Sequence, residues 1–215
     1  VKLAEERVKG YKSFTNKIWN AAKFLNLNDV KFIDQIDTEI INLDSSKWIL
    51  KEFEEVQKKY FENIEKYQFH EIASLIYHFT WHTFCDWYIE FIKSDFKDPE
   101  KSQETKIISG WVFVQTLKLL HPIMPFITEK LWISLVNKES FLMNQNLSKI
   151  NFDQSFYNNK KYILKIIEIL TSLRNLRADL NISYKNEIDI IIDTKNNNLI
   201  DFIKNFQTEF KRLLK

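Results

Sequence analysis

Apolar residues return at three-then-four spacing through most of this chain, a rhythm that leaves few alternatives to a set of packed helices. From Leu3 to Leu25 the stripe is Val8, Tyr11, Thr15, Ile18, Ala22 and Leu25. Trp48 to Tyr67 repeats it with Leu50, Phe53, Val56, Tyr60 and Ile64, and Asp44, Ser45 and Ser46 just upstream are N-cap candidates. Phe69 to Ile92 carries aromatic residues on every side, including Tyr77, Phe79, Trp81, Phe84, Trp87, Tyr88 and Phe91, which predicts the most deeply buried helix. A fourth helix over Thr105 to Leu120 ends before Pro122 and Pro125, which cannot continue it, and a fifth restarts over Phe126 to Val136.

Beyond these, Asn137 to Asn159 is rich in Asn and Ser and reads as a connector with little regular structure. Helical spacing returns from Tyr162 to Leu180, and Leu199 to Leu214 closes as a helix. Between them Ile188-Asp189-Ile190-Ile191-Ile192-Asp193 is short, β-branched and flanked by polar stretches, and is the one segment that reads as a strand. The expected fold is therefore mainly α: an antiparallel helix bundle over residues 1–140, a connector over 141–160, and a helix plus a small α/β subdomain over 161–215. The chain opens at Val1 without a methionine and stops at Lys215, each inside a charged helical pattern, so it is expected to be a piece of a longer protein, cut short at its C-terminus.

Composition narrows the chemistry. Gly10 and Gly110 are the only glycines, which excludes a Gly-rich phosphate loop or a dinucleotide fingerprint, both of which need several positions where backbone meets phosphate. One cysteine, Cys85, rules out an internal disulfide and suits a reducing, cytoplasmic compartment. No uncharged apolar run reaches the roughly 18 residues that a membrane helix needs, and no signal peptide opens the chain, so no membrane partner is expected. Thirty-one Lys and Arg stand against 29 Asp and Glu, but the near balance hides opposed segments. Residues 1–31 hold seven basic against three acidic side chains, residues 32–56 two against seven, and residues 160–185 six against two. Two basic helices beside an acidic one make an anionic partner a serious candidate.

The most metal-like spacing is His78, His82 and Cys85, which share a helix face but lack a fourth ligand and lie among large aromatics. Their expected role is structural, with no metal bound. Asp86 and Glu90, four apart, are a carboxylate pair whose expected role is to accept hydrogen bonds from neighbouring helices. No nucleophile, base and orienter stand together, and no catalytic residue is assigned.

Three stretches carry a family likeness: Asn16-Lys17-Ile18-Trp19-Asn20-Ala21-Ala22-Lys23-Phe24, then Phe84-Cys85-Asp86-Trp87-Tyr88-Ile89-Glu90, then Leu120-His121-Pro122-Ile123-Met124-Pro125-Phe126-Ile127-Thr128-Glu129-Lys130-Leu131-Trp132. Together they resemble the C-terminal anticodon-binding region of class I aminoacyl-tRNA synthetases, with the Phe-Cys-Asp-Trp-Tyr segment most similar to the valine enzymes. A fourth stretch, Leu173 to Asn181, resembles the helix that follows the bundle there. Lys23 stands where the family often has arginine, and lysine cannot copy arginine's bidentate fork. Asp179-Leu180 replaces a common Glu-Met. The His-x-Gly-His and Lys-Met-Ser-Lys-Ser signatures, which hold ATP in that family, occur nowhere in the chain.

The resemblance implies a domain that docks on the anticodon stem-loop of valine tRNA isoacceptors, inactive alone. It would position tRNA for catalytic and editing domains elsewhere in the parent chain, whose cofactors would be ATP and Mg. It points to the end of the first helix as the RNA-facing surface. Phe24 would be a stacking platform or, equally, a cap on the core; Asn20, unless it bonds a neighbouring helix, and Lys23 would be polar contacts, and Arg7, Lys12 and Lys17 phosphate contacts. Arg174 and Arg177, three apart, project from similar sides of the later helix and either hold RNA or pin the C-terminal part to Asp or Glu on the bundle, the second reading being favoured. The equivalent domain of an isoleucine or leucine enzyme, and a helical protein-interaction module, are the alternatives.

Overall fold

The computed structural model describes residues 5–147, 150–183, 185–186 and 188–214, with side chains from residue 10 onward. Helix α1 spans Glu5–Leu27, α2 Asp44–Glu65 and α3 Phe69–His78; a π-helix over Phe79–Tyr88 then runs into the short α4, Ile89–Ile92. Next come α5 over Ser102–Leu120, α6 over Pro125–Leu135 and α7 over Phe156–Asp179, followed by α8, Asn197–Asn205, and α9, Gln207–Leu213. The fold is mainly α, as expected.

The central element is α5, and not the aromatic helix. Every residue from Ile108 to Leu120 is buried, whereas His78 and His82 on the aromatic helix are exposed. The aromatic segment has a different period from the one expected. Its buried residues fall at Phe79 and Thr80, then Phe84 and Cys85, then Tyr88 and Ile89, a step of five then four that fits a π-helix better than an α-helix. On α1 the period is the ordinary helical one, with Phe14, Ile18, Ala21, Ala22 and Leu25 buried, while Tyr11 of the expected stripe stays 64% exposed.

The loop after α1 locks α5 in place. Asp34 accepts bonds from Trp111 Nε1 (3.0 Å, backbone oxygen) and Gln115 Nε2 (2.8 Å, carboxylate), and its carboxylate pairs with the buried Lys118 at 2.5 Å. The same loop crosses α5 at Gly110, where a Cβ would lie 2.0 Å from the backbone oxygen of Lys31. Glycine is required there by contact.

Asp44, Ser45 and Ser46 do not cap α2, because the helix already begins at Asp44. The acceptor comes from α5 instead: Glu104, nearly buried, takes the backbone N–H of Asn42 at 3.1 Å and that of Leu43 at 2.9 Å. A carboxylate at a helix N-terminus answers both the orphan donors and the helix dipole.

The described residues of the stretch 137–155 hold little regular structure beyond a 3₁₀ turn, Leu142–Asn144, yet they pack on the bundle through Leu142 and Phe152. Ile150 N–H donates to Gln57 Oε1 and Phe152 N–H to Glu54 Oε2.

The strand expected at Ile188–Asp193 does not form. These residues have no regular structure, Ile191 is 93% exposed, and no strand occurs among the described residues. A β-branched run becomes a strand only when a neighbour completes its ladder, and none is offered here. The α/β appendage is thus corrected to two helices, with the single helix expected over Leu199 to Leu214 divided at Phe206.

Candidate nucleic-acid interface

The two basic helices fare differently. On α7, Lys160 reaches the acidic α2 at Glu55 (2.7 Å) and Glu52 (3.3 Å), and Lys165 pairs with Glu168 at 2.8 Å. Arg174 donates from Nε and Nη2 to the backbone oxygen of Leu213 on α9, both at 3.2 Å, and lies over the Trp87 ring. Arg177, 3% exposed, donates to the carbonyls of Ser183 (2.6 Å) and Asn186 (2.8 Å). Both arginines hold the C-terminal part together, through carbonyls where carboxylates were expected. Lys160, Arg174 and Arg177 are thus committed inside the molecule, whereas Lys161 and Lys165 lie on the surface.

Among the described side chains of α1, two cations remain free on the surface. Lys12 and Lys23 are exposed and pair with no carboxylate among the described residues, and Asn16 and Asn20 are exposed beside them. Lys17 is half-buried, pairs with Asp86 at 2.6 Å and lies 5.4 Å from the centre of the Trp81 ring, so it already ties α1 to the π-helix. The Arg7 side chain lies outside the described residues. Phe24 is half-buried, meets Phe96 edge-on at 5.7 Å, and has the Lys93 ammonium 5.9 Å from its ring centre. Asn20, Lys23 and Phe24 thus gather at one end of α1, joined there by Lys93, which is far away in sequence.

Trp19 and Lys93 were not singled out from sequence. Trp19 is 43% exposed and stands on α1 between buried Ile18 and exposed Asn20. With Ala22, Lys23 and Asn26 it forms one wall of a groove of about 340 Å³, whose other wall is Leu131, Ser134 and Leu135 of α6. The available signal was Trp19's place outside the apolar stripe. The proximity of Lys93 to Phe24 carried none.

The other singled-out residues form supports. The Asp86 carboxylate also meets His82 Nδ1 at 3.2 Å, and the His78 and His82 rings stack with centroids 5.5 Å apart. Glu90 pairs with Lys93 and, at 3.2 Å, with Arg212 of α9. Burial pushes the Cys85 thiol up to about 12, so it is neutral at any physiological pH. No group of three His, Cys, Asp or Glu side chains suited to a metal occurs among the described residues. No helix of the described residues is long and apolar enough to cross a membrane.

A family model for the anticodon-binding domain of tRNA ligase matches residues 46–192. The chain is 38% identical to the valine–tRNA ligase of Pelagibacter ubique over 201 residues, which are 90% of this chain and 22% of that protein. It is 35% identical to the valine–tRNA ligase of Zymomonas mobilis over 190 residues, 85% of this chain and 21% of the relative. For the valine–tRNA ligase of Aquifex aeolicus the figures are 33% over 226 residues, 98% and 19%. The chain spans about a fifth of the length of these relatives. A model match over most of the helical bundle, with relatives aligned along nearly the whole chain, identifies it as a member of the family of anticodon-binding domains of tRNA ligases.

Proposed function

We propose that this chain binds the anticodon stem-loop of valine tRNA and positions that tRNA for aminoacylation by catalytic and editing domains of a longer valine–tRNA ligase. The observation that carries the reading is the exposed face of α1, where Lys12, Asn20 and Lys23 stand without carboxylate partners while Lys160, Arg174 and Arg177 of α7 are spent on internal contacts. Unstacked loop bases are read by stacking and polar side chains, and phosphates by lysine and arginine. Lys12, Lys23 and Arg7 are the proposed phosphate contacts and Asn20 a polar contact. Lys17 and Phe24, each already engaged within the bundle, form the edge of the surface.

ATP and Mg belong to the catalytic part. This chain offers neither the glycines of a phosphate loop nor, among the described residues, a carboxylate cluster for a metal, so no step is assigned to them here. A second face suits the parent's other domains: Phe126 is 91% exposed at the start of α6, and the bond from Leu142 N–H to Glu129 brings exposed Phe141 and Met143 to that helix. Apolar side chains exposed together mark an interaction surface.

Titration of valine, isoleucine and leucine tRNAs against the chain at two salt concentrations tests the reading. Valine tRNA should bind best and weaken with salt, because each neutralised phosphate releases counterions. Lys23→Glu should weaken all three and flatten the salt slope. Salt-insensitive binding, or none, would sink the proposal.

A further inference from the structure

The groove between α1 and α6 opens over the edge of the core, and its composition is particular. Its floor is Ala22 and Leu131, and Trp19 forms a side wall. Polar groups are confined to the rim: the Lys23 ammonium, unpaired among the described residues, the Asn26 amide and the Ser134 hydroxyl. Trp19, Lys23 and Asn26 follow one another at four then three residues, so they line a single face of α1 over two turns. A slot of about 340 Å³ lies at the small end of the range for ligand sites.

We infer that this groove receives one unstacked base of the bound RNA loop, with Trp19 as the stacking surface, Lys23 on the adjoining phosphate and Asn26 on the base edge. The inference rests on the RNA-binding reading above and adds the place where a base is held. The charge on the rim argues for this occupant over an apolar side chain of a protein partner, since a lone unpaired ammonium and an amide beside an apolar slot match a base attached to a phosphate. The comparison with Phe24 points the same way. The Phe24 ring is already in contact with Phe96 and shares its surroundings with Lys93, whereas the Trp19 ring borders an open slot.

The test uses an RNA hairpin of the valine anticodon stem-loop carrying 2-aminopurine at one loop position at a time. With the unaltered chain, one position should lose fluorescence on binding, as stacking on indole quenches it. Trp19→Phe should keep most of the affinity. Trp19→Ala should abolish the quench and weaken binding about tenfold or more, the range for one base–aromatic stack. Ser134→Trp, which fills the slot from α6 and leaves Trp19 in place, should weaken binding in the same way, and it decides the matter if Trp19→Ala lowers the melting temperature. Tight binding with unchanged quench in both variants would overturn the groove while leaving RNA binding intact. Failure of the unaltered chain to bind the hairpin would overturn both.

Discussion

Single residues carry constraints here that pattern alone does not show. Gly110 sits inside a helix, where glycine costs roughly 1 kcal/mol relative to alanine. That cost is offset by the loop that passes at contact distance, so Gly110→Ala must push the Lys31 backbone away and disturb the Asp34 bonds to Trp111, Gln115 and Lys118. The expected result is a loss of roughly 2 to 3 kcal/mol or more, as for other overpacked cores, read as a lower urea midpoint with unchanged slope. Equal or greater stability in the variant would show that the loop yields freely. Lys12, Asn20 and Lys23 were legible as surface from their place outside the α1 stripe, and the structure leaves all three exposed. Lys17 was not legible in full, because its partner Asp86 lies 69 positions away and sequence spacing cannot register such a pair.

At the scale of elements, the helices of the bundle were readable because a buried face repeats on the helical period, and their ends because proline and polar clusters stop it. Two kinds of feature escaped. One was the π-helix: a step of five then four looks like aromatics on every side when counted against 3.6. The other was capping in trans, since Glu104 serves α2 from another helix and the local Asp44-Ser45-Ser46 signal pointed to the wrong residues. Glu104→Gln should therefore cost roughly 1 to 2 kcal/mol, because a neutral amide accepts the two N–H groups more weakly and loses the charge that favours the helix dipole. Amide hydrogen exchange should localise the loss, with protection falling at residues 42–47 first. A loss spread evenly over the molecule would assign Glu104 to general packing and leave α2 without its proposed cap.

At the scale of the whole molecule, α8 and α9 are held on the bundle by an interface with an electrostatic weakness. Phe206 packs edge-on against Phe91 at 5.7 Å, Arg212 reaches Glu90, and Ser94 donates to Glu209 at 3.0 Å. Beside these contacts a cavity of about 320 Å³ is lined by Asp44, Asp95, Lys101 and Glu209 among others. Burial raises the Asp95 carboxyl to about 6; Lys101, 3.7 Å away, opposes the rise, while the negative charges of Glu209 and Asp98 add to it. A carboxyl whose folded pKa lies above its ordinary value near 4 binds its proton more tightly in the folded state. Asp95 therefore favours folding below about pH 4, and that contribution declines as the pH rises from about 4 to about 6, then levels off. Asp44, also raised mainly by burial, slopes the same way, so the contribution of Asp95 must be isolated as a difference. Asp95→Asn should be more stable than the unaltered chain at neutral pH, by on the order of 2 kcal/mol, with the advantage shrinking towards about pH 4. Hydrogen exchange over residues 197–214 should show where the advantage resides, because removing the charge that faces Glu209 strengthens the docking of α9. Urea midpoints of the two proteins that run parallel from about pH 4 to about pH 7 would mean that Asp95 is solvated in solution and that the interface has no such weakness.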